Sequence, residues 1–248
     1  MKLKVVATGS TGNCYILSCE GRSILLDCGV SHRRILRSGC DLSKVECCLV
    51  THEHGDHGFA AEKLSLYGVD VYATKGTFDG LKLDPTHNYN LHTVQTGVAF
   101  KSGQFTIVPF QVMHDANEPC GFLIRHGLTG ETALYATDTY YLPNTFPGVH
   151  YWIIECNFIE ERADDMVSDG TITQFMKMRL LRSHMSLRRL KDTLAANDLS
   201  QTRKIILVHM SDSRSDEHLM VQSFVQLTGI ETVAAVSGLE IPLDLTPF

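Results

Sequence analysis

The alternation of apolar and polar positions along this chain predicts many short strands separated by turns. Brief apolar runs rich in β-branched and aromatic residues, bounded by Gly, Asp or Pro, recur along the sequence, and this pattern is typical of buried strands. The first three runs are close enough in sequence to pair as an antiparallel meander. The predicted strands cover residues 3–7, 14–19, 23–27, 45–50, 69–73, 90–95, 105–112, 121–126, 132–137, 151–155, 204–208, 232–236 and 239–243.

Helical periodicity appears between several of these strands. Leu187, Leu190 and Leu194 share one face of a helix for which Ser186 is a favourable N-cap. Strands in two groups with helices between them fit two sheets packed face to face beneath outer helices, and we expect one domain over residues 1–248. The predicted helices cover 31–38, 59–67, 74–83, 172–182, 187–196 and 216–227, the last one capped by Ser215.

Composition fits a folded protein of a reducing compartment. The 248 residues are 44% hydrophobic, enough for a sizeable core. No apolar run approaches the ~20 residues that cross a bilayer, and the apolar start is too short for a signal peptide. The eight cysteines lie mostly in apolar runs and never as Cys-x-x-Cys, so we expect buried thiols and a cytoplasmic location. A net charge of -6 argues against general attraction to nucleic acid.

Three histidines and an aspartate crowd the loop after the predicted strand 45–50. Side chains two apart on an extended backbone point the same way, so His52 and His54 can bind one ion while Asp56 and His57 turn toward a second. A polar loop that caps the next helix is the alternative. Buried imidazoles packed so closely without a metal or an acid are costly, which favours a metal site.

Further ligand candidates follow other predicted strands. His114, Asp138 and His209 each lie just after a strand. Taken singly, they would suit a loop residue, a helix cap and a core histidine. Their order after the histidine loop instead favours a site for two metals, which needs more ligands than one loop supplies.

This set of residues resembles the signature of the metallo-β-lactamase superfamily of metallohydrolases. The resemblance runs from the Gly-Ser-Thr-Gly-Asn motif at residues 9–13 to at least His209. It implies an α/β (α+β) fold, a four-layer αββα sandwich. It implies that one metal is held by His52, His54 and His114, a second by Asp56, His57 and His209, and that Asp138 bridges the two. Zinc is expected from imidazole and carboxylate ligands, with manganese or iron as alternatives.

Within the superfamily, local motifs resemble the small single-domain Yyc-operon metallohydrolases, regarded as DNA exonucleases. These motifs are the one at residues 9–13, His114-Asp115-Ala116, Glu155-Cys156-Asn157 and Ser183-His184-Met185-Ser186. In that branch the histidine matching His184 faces the scissile phosphate. Phe158 and Ser183 depart from the branch, which usually has His and Gly there, so the resemblance leaves the substrate open.

The sequence thus predicts a dinuclear metal-dependent hydrolase, a phosphodiesterase or nuclease that uses a hydroxide bridging the metals. Asp56 would orient or deprotonate the water, and His184 would act as the acid. A basic stretch surrounds His184, and its residues Arg179, Arg182 and Arg188 would bind phosphates of a nucleic acid, DNA more than RNA. No membrane partner is expected, and the oligomeric state is open.

Several alternatives stay open from the sequence. The basic stretch also fits a solvated helix face, and His184 also fits a helix cap or a core histidine. The same metals would polarise the carbonyl of a thioester, lactone or β-lactam. A non-catalytic protein with a structural metal is a third possibility, which is disfavoured because every ligand position is filled.

Overall fold

The computed structural model describes residues 1–211 and 214–243 and contains two seven-stranded sheets. Strands are numbered in chain order. The strands of the first sheet are β1 (Lys2–Ala7), β2 (Cys14–Cys19), β3 (Arg22–Leu26), β4 (Val45–Leu49), β5 (Val71–Thr74), β6 (Leu91–Val94) and β14 (Glu240–Pro242). Their order in space is β14-β1-β2-β3-β4-β5-β6. β1 to β3 form the expected antiparallel meander, and β3 to β6 are parallel.

The second sheet follows a similar plan. Its strands are β7 (Phe100–Ser102), β8 (Phe105–Gln111), β9 (Cys120–His126), β10 (Thr132–Ala136), β11 (Tyr151–Glu155), β12 (Lys204–Val208) and β13 (Glu231–Ala234). The spatial order is β13-β12-β11-β10-β9-β8-β7. β10 to β13 are parallel, and β9 is antiparallel to both β8 and β10. β8, β10, β11 and β12 therefore run in one direction and end at one rim of the sheet.

Helices cover the outer faces of both sheets. They are α1 (His32–Arg37), α2 (Gly55–Gly58), α3 (Ala61–Leu66), α4 (Lys75–Leu81), α5 (Glu160–Ser168), α6 (Gln174–Ser183), α7 (Leu187–Ala195) and α8 (Glu217–Thr228), with a 3₁₀ turn at Leu42–Lys44. Ser186 caps α7 by accepting the Arg189 N–H, as expected. None of these helices is both long and apolar enough to span a bilayer, within the residues that the structure describes.

The apolar core is divided into layers, which explains why strand residues are buried on both faces. One cluster, which includes Leu17 and Ile153, lies between the two sheets. A second, with Cys48 and Leu64, packs the first sheet against its helices, and a third, with Trp152 and Leu190, does the same for the second sheet. Burial of this apolar surface is the main stabilising contribution to the fold. The predicted four-layer αββα sandwich is confirmed.

The departures from the predicted elements have local causes. The predicted helix 59–67 is confirmed with shorter bounds, since α3 covers Ala61–Leu66 and residues 59 and 60 form a turn after the short helix α2. α8 is capped by Asp216 rather than Ser215, since the Asp216 carboxylate accepts the Leu219 N–H. The sequence did not predict α5, whose only buried residues are Glu160 and Ala163, so that it carries no apolar stripe. All eight cysteines are buried free thiols, as expected.

Candidate metal centre

The histidine loop leaves β4 and is held against two segments, one just before β2 and one just after β3. The Asn13 N–H donates to the Asp56 carbonyl over 2.7 Å, and the Cys28 N–H donates to the His57 carbonyl over 2.8 Å. Gly29 permits this approach, because a Cβ atom at residue 29 would lie 1.6 Å from the Asp56 carbonyl oxygen. Backbone contacts therefore place the loop before any ligand binds.

The first group of ligand atoms matches the first predicted metal site. The ligand atoms of His52, His54, His114 and Asp138 all lie within 4.8 Å of one another. His52 Nε2 is 3.0 Å from His54 Nδ1, and His114 Nε2 is 3.3 Å from the same atom. The Asp138 Oδ2 atom lies 3.8 Å from His52 Nε2 and 3.6 Å from His114 Nε2. These four side chains therefore surround a space that a single cation can fill.

The second group lies on the other side of Asp138. Asp56, His57 and His209 also bring one ligand atom each within 4.8 Å of the others. Asp56 Oδ2 is 3.5 Å from His57 Nε2 and 3.8 Å from His209 Nε2. Asp138 Oδ2 is also 3.5 Å from His57 Nε2. The carboxylate of Asp138 thus faces both groups, as the resemblance implied for a bridging ligand.

Three residues of the centre adopt a backbone conformation that side chains rarely take. Asp27, Asp138 and His209 have φ values of 55°, 48° and 53°, each in the left-handed region. Each of them directly follows a strand or begins the turn after it. Strain of this kind is found where a fold holds a functional side chain in a required direction.

Two buried carboxylates hold the ligands from behind, and the sequence did not assign either of them a role. The Asp27 Oδ2 atom lies 2.8 Å from His57 Nδ1 and accepts the Tyr135 hydroxyl over 2.6 Å. Glu155 Oε1 lies 2.9 Å from His209 Nδ1. A carboxylate that occupies Nδ1 leaves Nε2 of the same ring as the ligand atom. The available signal was a polar residue at a strand end, since Asp27 follows β3 and Glu155 ends β11.

Burial and neighbouring charges set the protonation of the centre. Burial, reinforced by His57, holds the pKa of His52 well below its usual value, so its imidazole is neutral and free to bind a cation. Burial opposes ionisation of Asp138, but His209 and His57 outweigh it and hold its pKa well below the usual range. Burial lowers the pKa of His209, yet Asp138, Asp56 and Glu155 raise it to about 10.

The donor set fits metal binding. His209 Nε2 is buried and has no hydrogen-bond partner among the residues that the structure describes. A buried polar nitrogen without a partner costs free energy, whereas a cation among His57, Asp56 and His209 would satisfy it. None of the His, Cys, Asp and Glu groups with metal-binding spacing in the described chain includes a cysteine. The cluster is therefore compatible with metal ions held by nitrogen and oxygen.

His184 lies beside the metal cluster, in the position that suits an acid. It follows α6 directly, and its Nδ1 atom is 2.7 Å from Glu155 Oε1. Its ring stacks on His209 with 5.3 Å between centroids. Burial lowers the pKa of His184, but the Glu155 carboxylate outweighs burial and raises it. His184 therefore tends toward the protonated form with its other nitrogen available.

A cavity of about 550 Å³ opens over the cluster, bounded by α6 and by the loops after β1 and β12. Arg179 lines this cavity, and Arg182 lines a neighbouring groove. Arg188 lines neither of them, and its Nη2 atom lies 2.5 Å from Glu160 Oε2. The structure thus brings two of the three predicted substrate arginines near the cluster. His54, Asp56, His114, Asp138, His184 and His209 are among the site residues that line the cavity.

The chain is similar to proteins of known family. A family model described as a beta-lactamase superfamily domain matches residues 22–210. Exodeoxyribonuclease WalJ of Streptococcus pneumoniae serotype 2 is 26% identical over 242 residues, which cover 90% of this chain and 87% of WalJ. Exodeoxyribonuclease YycJ of Bacillus anthracis is 28% identical over 241 residues, covering 92% and 89%. The metallo-beta-lactamase fold protein YhfI from Bacillus subtilis has a TM-score of 0.74 at 18% identity, covering 97% and 98%.

Proposed function

Because this chain belongs to the beta-lactamase superfamily, we propose that it is a metal-dependent hydrolase that cleaves phosphodiester bonds of nucleic acid, DNA more than RNA. The observation that carries the proposal is the pairing of His184 with Glu155 directly beside the ligand cluster. Hydrolysis of a phosphodiester needs an acid at the leaving oxygen. A thioester releases a weakly basic thiolate, which departs without such an acid.

Two divalent metal ions are the proposed cofactors, and zinc suits the donor set, with manganese or iron as alternatives. His52, His54 and His114 would hold one ion and Asp56, His57 and His209 the other, with Asp138 shared. The unpartnered Nε2 atom of His209 supports this assignment. When bound, such ions lower the pKa of water toward neutrality and neutralise charge on the phosphate oxygens.

The side chains of this chain supply orientation and proton transfer. The pKa of the Asp56 carboxylate is held low, despite burial, by the imidazoles of His209 and His57, which lie 3.8 and 3.5 Å away. The carboxylate is therefore ionised and accepts a hydrogen bond from the attacking water. The His184 imidazolium donates its Nε2 proton to the departing oxygen, while Glu155 keeps Nδ1 protonated. The Arg179 guanidinium, at the wall of the cavity, binds a phosphate next to the scissile one.

The names of two curated relatives and the chain's own buried thiols support the biological setting. WalJ and YycJ are both named exodeoxyribonucleases and match nearly all of this chain. We therefore infer exonuclease activity on DNA as the physiological reaction. The eight buried free cysteines support a cytoplasmic location.

A substrate panel tests the proposal. The metal-loaded protein is assayed on double-stranded DNA, single-stranded DNA, RNA, bis-p-nitrophenyl phosphate, a thioester and a lactone. We expect turnover of DNA and of the small phosphodiester, loss of that turnover with a chelator, and its recovery on addition of metal. The Asp56→Ala variant serves as the matched inactive control. Turnover confined to the thioester or the lactone would overturn the proposal in favour of an acyl hydrolase.

A further inference from the structure

Helix α6 separates two depressions on the surface. Its inner side borders the cavity over the ligand cluster, while its outer side borders a larger groove of about 1110 Å³. The outer groove is bounded by α6, by the residues after β8 and by Tyr140. His114, Asp115, Arg179 and Ser183 line both depressions. An elongated molecule that crosses the ligand cluster therefore has a continuous path into the outer groove.

The outer face of α6 is apolar and exposed at its N-terminal half. Phe175, Met178 and Arg182 are spaced i, i+3 and i+7, which places them on one face of the helix. Phe175 is 79% exposed and Met178 is 40% exposed. The packing of α6 onto the fold is provided instead by Leu180, which is buried with Phe158 and Ala163. The exposed aromatic ring thus contributes nothing visible to the core.

The arginines beside this ring are uncommitted, unlike their basic neighbours. Lys177 pairs with Asp164, and the Arg189 guanidinium donates to the Tyr140 and Leu181 carbonyls. Arg179 and Arg182 have no ion pair or side-chain hydrogen bond within residues 1–211 and 214–243. Both line the outer groove. The groove therefore offers two free guanidinium groups next to an exposed aromatic ring.

We infer that the outer groove binds unpaired nucleotides of the substrate strand, so that the protein acts on a single-stranded end. A base stacks on Phe175 with Met178 alongside, and Arg179 and Arg182 pair with the phosphates between it and the ligand cluster. Grooves that combine aromatic platforms with cationic side chains are typical of single-strand binding. Inside a duplex the base faces are covered by neighbouring base pairs, and only the terminal pair has an uncovered face, so a paired strand offers this platform far fewer bases than a single strand does. The inference rests on the proposed phosphodiesterase function and specifies the form of its substrate.

A tryptophan in place of Phe175 reports occupancy of the platform directly. The chain has a single tryptophan, Trp152, which is fully buried and gives a constant background. Phe175→Trp is titrated, with chelator present to prevent cleavage, with an oligothymidylate and with a blunt hairpin duplex. We expect fluorescence quenching by the single strand at concentrations where the duplex has no effect. Tyr89→Trp, at a 97% exposed aromatic outside both depressions, should show no quenching.

Steady-state kinetics separate this inference from the proposed function. Phe175→Ala should raise KM for a single-stranded oligonucleotide by about fivefold or more, since fivefold corresponds to the smallest free energy usual for one base–aromatic stack. Tyr89→Ala should leave KM unchanged. If the wild-type protein hydrolyses no phosphodiester, including bis-p-nitrophenyl phosphate, the proposed function fails. If the wild type is active but Phe175→Ala has an unchanged KM, or the duplex quenches Phe175→Trp as strongly as the single strand, the stacking platform is wrong.

Discussion

The same three parallel strands carry ionisable groups at both of their ends, and the two ends are built differently. Glu131, Tyr151 and Arg203 lie at or just before the starts of β10, β11 and β12. At the other end of these strands, Asp138, Glu155 and His209 belong to the candidate metal centre. The two clusters differ in how far their charges are paired within the fold.

At the starting end, the charges balance one another. The Glu131 carboxylate accepts the Tyr151 hydroxyl and the Arg203 guanidinium, the latter over 2.8 Å, and lies 3.4 Å from the N-terminal ammonium of Met1. At the candidate metal end, imidazoles crowd together and the buried His209 Nε2 has no hydrogen-bond partner in the described chain. The first end is complete as folded, whereas cations would complete the second. Four predictions test this difference.

The largest effect is expected from Asp138→Asn. The carboxylate faces both ligand groups, so its neutral isostere should weaken metal binding and activity by more than about 100-fold, because even residues behind the ligands contribute about 10- to 100-fold. Metal content after dialysis measures the loss of metal binding, and turnover of bis-p-nitrophenyl phosphate measures the loss of activity. Glu131→Gln, at the other end of β10, is the control and should keep its metal. An Asp138→Asn protein with wild-type metal affinity would contradict the bridging assignment.

His184→Ala is expected to slow catalysis without removing metal. Loss of a positioned acid costs about 100- to 10,000-fold in rate, whereas the ligand atoms themselves are untouched. The measurements are kcat on a DNA oligonucleotide, whose leaving alkoxide needs a proton, and metal content by mass spectrometry. Unchanged turnover would show that His184 is not the acid, and lost metal would show that its contact with Glu155 supports His209 instead.

Glu131→Gln should affect stability and leave catalysis unchanged. Removing the charge from a buried, hydrogen-bonded carboxylate should lower the free energy of unfolding by about 1–3 kcal/mol. Burial opposes ionisation of Glu131, but Tyr151 and the N-terminus outweigh it and lower its pKa from 4.5. The wild type therefore gains this stability above pH 4.5 and loses it as the pH falls further. Urea unfolding at several pH values checks whether the variant lacks that component.

The smallest effect concerns the arginines. Arg179→Ala and Arg182→Ala should each weaken DNA binding and reduce the slope of log affinity against log salt by about 1, the effect of losing one phosphate contact. Arg188→Ala is the matched comparison, because Arg188 pairs with Glu160. If Arg188→Ala changes the slope as much as the other two substitutions do, Arg188 also binds phosphate, as its position in the sequence suggested. If none of the three substitutions changes the slope, these arginines do not bind phosphates of the DNA.

The sequence predicted the proposed metal ligands at the strand ends better than the buried carboxylates that contact them. The histidine loop and the ligands after β8, β10 and β12 were visible because each follows an apolar run directly, and the structure brings all seven together. Asp27 also follows a strand, yet its partners His57 and Tyr135 come from distant parts of the chain, so its role depended on tertiary packing. Nothing in the sequence distinguishes Phe175 from an ordinary helix residue, because the groove beside it is completed by residues that are distant in the chain.

Gly29 links the architecture of the first sheet to chemistry at the rim. Even the methyl group of alanine would overlap the Asp56 carbonyl, so the turn bearing Asp56 and His57 would have to move away from His209 and Asp138. One added methyl group at residue 29 would thereby displace two proposed ligands at once. The alignment of the candidate metal centre thus depends on a hydrogen atom at a residue that is not among its proposed ligands.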